Sequence, residues 1–244
     1  YSFYRISKPS AEKVPQDRVD QTYMSLRRKT FWGVTLAYSL YYVCRISISL
    51  FKKPLIDEGV LTEGQLGLVG AAFLFVYAVG KFLNGFIADY CNIRRFMATG
   101  LFISSVVNLL MAALGFFHNM IPSVVIFLAF AILWGMNGMV QSMGSAPGVI
   151  SLSRWFPLSK RGSYYSVFST SPSIGKFVSY LVLGAVGYFG WQYGFIVASI
   201  AGVIGATLIL IMVSDTPESK GLPSVQELSG ETLSKTDKKP TKEL

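Results

Sequence analysis

The sequence predicts an all-α membrane protein, a bundle of six transmembrane helices. Three observations carry this. The 244-residue chain is 52% hydrophobic and only 14% charged, with a mean hydropathy of +0.47; soluble domains average about 25% charged residues. Six apolar runs each approach or exceed the ~20 residues that ~30 Å of hydrocarbon requires. Lys and Arg gather between alternate runs, which is the charge pattern that orients membrane helices. The net charge of +9 therefore reports topology and not nucleic-acid binding, because the basic residues form no continuous face.

Residues 1–30 hold seven basic and three acidic side chains. They read as a cytoplasmic N-terminal arm, partly disordered, whose end Leu26-Arg27-Arg28-Lys29 anchors the first span at the headgroups. The spans are placed at about 31–51, 66–88, 96–117, 121–149, 163–188 and 191–213, so that 31–213 is a six-helix transmembrane domain. Glycine and alanine in 70–85 and 184–206 suit close helix packing. Arg94 and Arg95 follow the second span; Arg154, Lys160 and Arg161 follow the fourth; the connections after the third and fifth hold no Lys or Arg. Both termini are accordingly expected on the cytoplasmic side of the cell (inner) membrane. Lys52 and Lys53 are the exception, at the outer end of span one and partly balanced by Asp57, Glu58 and Glu63, where they could attract anions at the outer mouth of a pathway. Residues 214–244 are polar, with three prolines, and read as a cytoplasmic linker or tail. A chain that starts at Tyr1 and stops in such a linker is expected to be a piece of a longer product.

Chemistry is scarce. Cys44 and Cys91 lie in an apolar run and a short loop, which is no disulfide framework. His118 is the only histidine, so no histidine-based metal site or triad is expected. No nucleophile–base pair or phosphate-cradling glycine loop occurs. Neither an enzyme nor a cofactor is expected.

The informative residues are charges inside the apolar runs. Arg45, Lys81 and Lys176 are cations at membrane depth, and no Asp or Glu occurs between Asp89 and Asp215. A buried cation costs at least ~2.5–3.5 kcal/mol on insertion scales and is a functional-site candidate by default. Desolvated charge without a partner is not repaid, so a bound anion is the simple counter-ion. At ~100° per residue, Tyr38, Tyr42 and Arg45 share one helix face. Tyr77, Lys81 and Asn84 repeat that spacing in span two, and Ser169, Ser173 and Lys176 in span five. Asn137 and Gln141, continued by Gly144 and Gly148, form a fourth polar stripe. Arginine can grip phosphate with a bidentate fork, and lysine supplies a mobile point charge.

Tyr41-Tyr42-Val43-Cys44-Arg45, the span-two lysine followed by Gly85-Phe86-Ile87-Ala88-Asp89, and Asp215-Thr216-Pro217-Glu218-Ser219-Lys220-Gly221-Leu222-Pro223 resemble the organophosphate:phosphate antiporters of the major facilitator superfamily. The resemblance covers about residues 30–225. It implies the N-terminal six-helix half of a twelve-helix carrier whose halves rock about a central site. It implies that Arg45 binds phosphate, that Lys81 lies near the site, that Tyr38 and Tyr42 line it, and that Gln141 matches a polar position in the fourth helix. Gly85, Asp89, Arg94 and Arg95 look like the loop that latches the cytoplasmic gate. The chain departs from the pattern at Ile46, at Ser145-Ala146-Pro147-Gly148-Val149, at Pro172 and at Lys176. These departures disfavour glycerol-3-phosphate and favour a hexose phosphate or another phosphorylated metabolite. Lys176 could add a second anion contact if its helix position allows.

The partners implied are an organophosphate, inorganic phosphate, the lipid bilayer and a missing C-terminal half that supplies the other side of the phosphate clamp; nucleic acid is not among them. Two functions are consistent with these residues: a carrier exchanging sugar phosphate for phosphate, and a membrane sensor of sugar phosphate that signals to a kinase.

Overall fold

The computed structural model describes residues 2–229, which are helical apart from loops and one isolated backbone bridge, Arg5 to Cys91. The helices are α1 (Val19–Leu50), α2 (Lys52–Asp57), α3 (Glu63–Asp89), α4 (Ile93–Phe116), α5 (Ser123–Gln141), α6 (Ser145–Trp155), α7 (Leu158–Phe168), α8 (Ser171–Gly187), α9 (Trp191–Met212) and α10 (Val225–Ser229). Stretches Gln16–Asp57, Glu63–Asp89, Ile93–Phe116, Ser123–Trp155 and Trp191–Met212 are long and apolar enough to cross a membrane. The remaining pass, α7–α8, is helical on both sides of Ser169–Thr170 but is interrupted there. α4 packs along α9, α3 along α5, and α1 against both α9 and α8.

Proline explains where the passes break. Pro172 has no N–H to give the Phe168 carbonyl, and the Ser171 hydroxyl donates to that carbonyl instead, at 2.7 Å. The expected fourth span is likewise two helices. α5 ends at Gln141, residues 142–144 turn, and α6 carries Pro147 in its first turn, where a missing N–H is tolerated. This pass also runs on to Trp155, beyond the expected end near 149.

The arm differs most from expectation. Residues 19–30 are helical and belong to α1, because they have an apolar surface to cover: Tyr23 is buried edge-on against Trp155, at 5.7 Å between ring centroids. The Arg27 guanidinium lies 4.4 Å from the Tyr23 ring. Residues 4–14 are not disordered either. They form a strap across the bundle end, with Asn92 N–H donating to the Tyr4 carbonyl, Ser10 N–H to Glu218 and Val14 N–H to Gly221. Gly221 has φ +73°, and a Cβ there would collide with the Glu12 carbonyl oxygen. The expected linker also begins as packed structure: Asp215, Leu222 and Val225 are buried. Its remainder, 230–244, lies outside the described residues.

Candidate functional site

The three membrane-depth cations come together around two tyrosine rings. Arg45, on α1, places its guanidinium carbon 4.0 Å from the Tyr77 ring centroid, 5.4 Å from Tyr42 and 5.3 Å from Phe73. Lys81 Nζ lies 5.9 Å from the same Tyr77 ring. Lys176 Nζ lies 5.9 Å from Tyr42. Each ring thus faces two cations, and Arg45 is common to both. Cation–π contacts of this kind contribute about 0.5–2 kcal/mol each. Among the described residues, Arg45, Lys81 and Lys176 have no ion-pair partner.

A cleft of about 290 Å³ opens beside them, lined by Tyr42, Arg45, Lys52, Phe73, Trp134 and Lys176 among others. No Asp or Glu is among its lining residues. Such a pocket attracts anions and repels cations.

Close helix contacts deliver these side chains. A Cβ on Gly138 of α5 would approach the Phe73 carbonyl oxygen to 2.6 Å and the Tyr77 nitrogen to 3.2 Å. The missing side chain lets α3 sit against α5 at the turn that carries Tyr77. On the other flank, a Cβ on Gly175 would overlap the Ser39 carbonyl, so α8 meets α1 one residue before Lys176.

A polar network fixes α1 from behind. Asn108 donates to the Cys44 carbonyl at 3.1 Å and accepts from Ser47 at 2.8 Å. Asn137 also reaches the Cys44 carbonyl, and Ser104 donates to Asn137 at 2.6 Å. The carbonyl that receives both amides belongs to the residue just before Arg45.

This network corrects two expectations. Gln141 is 3% exposed and donates to the Ser104 hydroxyl at 2.8 Å; its amide faces α4 in the bundle interior and not the cleft. The stripe it heads packs in the same sense, with Gly144 against the Tyr38 ring and Gly148 against Phe168. Tyr38 itself is 7% exposed, stacked on Phe168 at 5.0 Å and edge-on to Tyr42 at 5.6 Å. It buttresses Tyr42 from within. Asn84 is also drawn inside, donating to the Ser142 hydroxyl at 2.6 Å. Ser169, Ser173 and Lys176 are exposed together.

Among the described residues, no side chain expected at the gate bonds to another of that set, and the carboxylate that gathers hydrogen bonds beside them is Asp215. Its Oδ1 accepts from Arg154 at 2.6 Å and from the Ile93 N–H at 2.9 Å, and its Oδ2 from the Ser7 N–H at 2.8 Å. Asp89 is exposed and offers its carbonyl to Arg154, at 3.1 Å. Arg94 donates to the Leu210 carbonyl, and Arg95 to Phe3 at 2.8 Å. Gly85 lies on the open face of α3, with nothing within 4 Å of a Cβ built there. Sequence reasoning missed the Arg154–Asp215 pair. The signal was present, since Asp215 is the first acid after Asp89 and Arg154 ends the fourth pass.

Several helices apolar enough to cross a membrane, packed around a cation-lined cleft with no Asp or Glu among its lining residues, define the class: a multi-pass helical membrane protein. The chain belongs to the Major Facilitator Superfamily, whose profile matches residues 34–242, and it corresponds to the N-terminal half of that fold. It is 32% identical over 238 residues to the glycerol-3-phosphate transporter of Bacillus subtilis, covering 97% of this chain and 52% of that one. It is 34% identical over 227 residues to a probable hexose phosphate transport protein of Chlamydia pneumoniae (92% and 48%), and 31% identical over 216 residues to the membrane sensor protein UhpC of Salmonella typhimurium (88% and 47%). The chain spans about half the length of the curated relatives it matches. The family and these relatives are membrane proteins of transport and sensing, not enzymes. In three dimensions it resembles an inward-facing bacterial homolog of the human lysosomal transporter Spinster, with a TM-score of 0.64 at 17% identity over 79% of this chain and 44% of that one, which supports the fold alone.

Proposed function

We propose that this chain is the phosphate-gripping half of a carrier that exchanges a phosphorylated sugar for inorganic phosphate by alternating access. The observation that carries this is the convergence of Arg45, Lys81 and Lys176 on the Tyr42 and Tyr77 rings beside a cleft without carboxylates. A phosphate supplies the negative charge that Arg45 and Lys81 lack, and Arg45 offers it a fork. A hexose phosphate is favoured over glycerol-3-phosphate, because Lys176 and Pro172 depart from the glycerol-phosphate pattern. In this reading, residues 31–213 form the transmembrane domain, 1–30 the arm and 214–244 a linker. The positive-inside bias of Arg94, Arg95, Arg154, Lys160 and Arg161 puts both termini in the cytoplasm. Gly85, Asp89, Arg94 and Arg95 then lie at the cytoplasmic gate, in a cell-membrane protein.

The test is phosphate self-exchange in proteoliposomes containing the full-length protein. Arg45→Lys is expected to abolish it, since a lysine keeps the charge and loses the fork. Exchange at the unsubstituted rate would remove Arg45 from the role. Likeness to a membrane sensor protein keeps a second reading open, in which sugar phosphate is bound and reported. Saturable binding without uptake would select it.

A further inference from the structure

We propose that the cleft holds a second anion position, formed by Lys52 and Lys176, and that it selects hexose phosphates carrying another acidic group at the end remote from the phosphate. This rests on the reading of Arg45 as the phosphate ligand and narrows the substrate class of that site.

The cations divide into two sets. Arg45 and Lys81 share the Tyr77 ring. Lys176 lies on the Tyr42 side and, with Lys52 and Arg45, lines the open cleft. A phosphate dianion between Arg45 and Lys81 balances two positive charges. Lys52 and Lys176 then remain, in a cleft whose described lining has no carboxylate. Neither lysine has an ion-pair partner among the described residues. A neutral sugar end would leave both ammonium groups facing hydroxyls; a carboxylate or a second phosphate would neutralise them through charge-assisted hydrogen bonds.

The spacing fits. Lys52 follows Arg45 by seven residues along α1 and its continuation into α2, which is about two helical turns or ~10 Å of rise. A six-carbon chain with its phosphate on Arg45 is long enough for its far end to come within reach of the flexible lysine stems that line the same cleft. The Gly175 contact with α1 brings Lys176 to the same cleft from the facing helix. Flexible lysine stems let the two ammonium groups close on one small anion.

The matched probes are 6-phosphogluconate and sorbitol 6-phosphate, both open-chain, which share a carbon skeleton and differ only at C1, a carboxylate against a hydroxymethyl. Equilibrium binding of each to the purified full-length protein is measured at pH 7.5 and constant ionic strength. The expected result is about tenfold or more tighter binding of 6-phosphogluconate, the scale of one charged hydrogen-bond contact. Lys52→Gln and Lys176→Gln, at exposed positions where folding is not at stake, should each cut that ratio severalfold. Arg45→Lys should weaken both ligands. Equal affinity for the two probes, or a ratio unmoved by both lysine substitutions, overturns the second position while leaving phosphate recognition intact. Absence of binding by either probe overturns both readings. Discrimination in binding without phosphate exchange sinks the exchange reading alone.

Discussion

The Arg154 guanidinium donates to Asp215 Oδ1 at 2.6 Å, joining the last turn of α6 to the segment that follows α9. The same carboxylate takes the Ile93 N–H at the start of α4 and the Ser7 N–H of the strap. Four parts of the chain that are remote in sequence therefore share one buried acid. A carboxylate at a helix N-terminus is also favoured by the helix dipole.

Asp215→Asn should lower stability by about 2–4 kcal/mol, because it leaves Arg154 without its charge and points an amide N–H at one of three donors. Asp89→Asn should stay within about 0.5 kcal/mol, since that side chain is exposed and its carbonyl makes the contact with Arg154. Thermal unfolding of the detergent-solubilised full-length protein ranks the two. The reverse order would show that Asp89 holds this end together.

Gly138→Ala should disturb both stability and phosphate binding. Its new methyl would press on the Phe73 carbonyl and the Tyr77 nitrogen, at the usual overpacking cost of about 1–3 kcal/mol, and would push the Tyr77 ring off Arg45. Gly67→Ala in the same helix as Tyr77 meets nothing within 4 Å and should be neutral or slightly stabilising. Phosphate affinity of the two variants is compared directly. Equal affinities would mean that Tyr77 placement does not matter to the anion.

Asn108→Ala takes the shorter of two acceptors from the Ser47 hydroxyl, leaving it the Cys44 carbonyl at 3.4 Å, and removes a donor from that carbonyl. A loss of about 1–3 kcal/mol is expected from the hydrogen bonds lost. Phosphate affinity should fall as well, because α1 loses a restraint next to Arg45. A variant that is destabilised yet binds phosphate normally would confine the network to packing.

Burial raises the Cys91 thiol above its ordinary range, against the pull of Arg154. The thiolate is the reactive form, so maleimide labelling should be slow at neutral pH. Its midpoint should lie above the ~8.5 of a free cysteine, returning to that value when the protein is unfolded. Cys44, buried within α1, should not contribute in the folded protein. A midpoint at or below 8.5 in the folded state would contradict the burial of Cys91.

The passes and the cations were legible because both stand out against composition. A run of twenty apolar residues has few alternatives, and one arginine inside it is costly enough to be noticed. Which way a polar stripe faces was not legible. Tyr77 and Lys81 have the same spacing as Asn137 and Gln141, yet the first pair meets Arg45 at the Tyr77 ring and the second is sealed against α4. Helical period names a face but not the neighbour it meets. The strap was invisible for another reason: three of its hydrogen bonds run from backbone to backbone, and backbone groups leave no pattern in side-chain order. The break before α8 was half visible, in Pro172, but a proline near a helix end is tolerated as often as it interrupts.

Two helix interruptions meet one side chain. α5 gives way to α6 at 142–144 and α7 to α8 at Ser169–Thr170. The Tyr38 ring touches Gly144 on one side and stacks on Phe168 on the other, while its own helix runs through unbroken. Tyr38 is therefore a shared bearing surface: two passes contact it at or beside their interruptions, and the helix that carries it carries Arg45 seven residues further along.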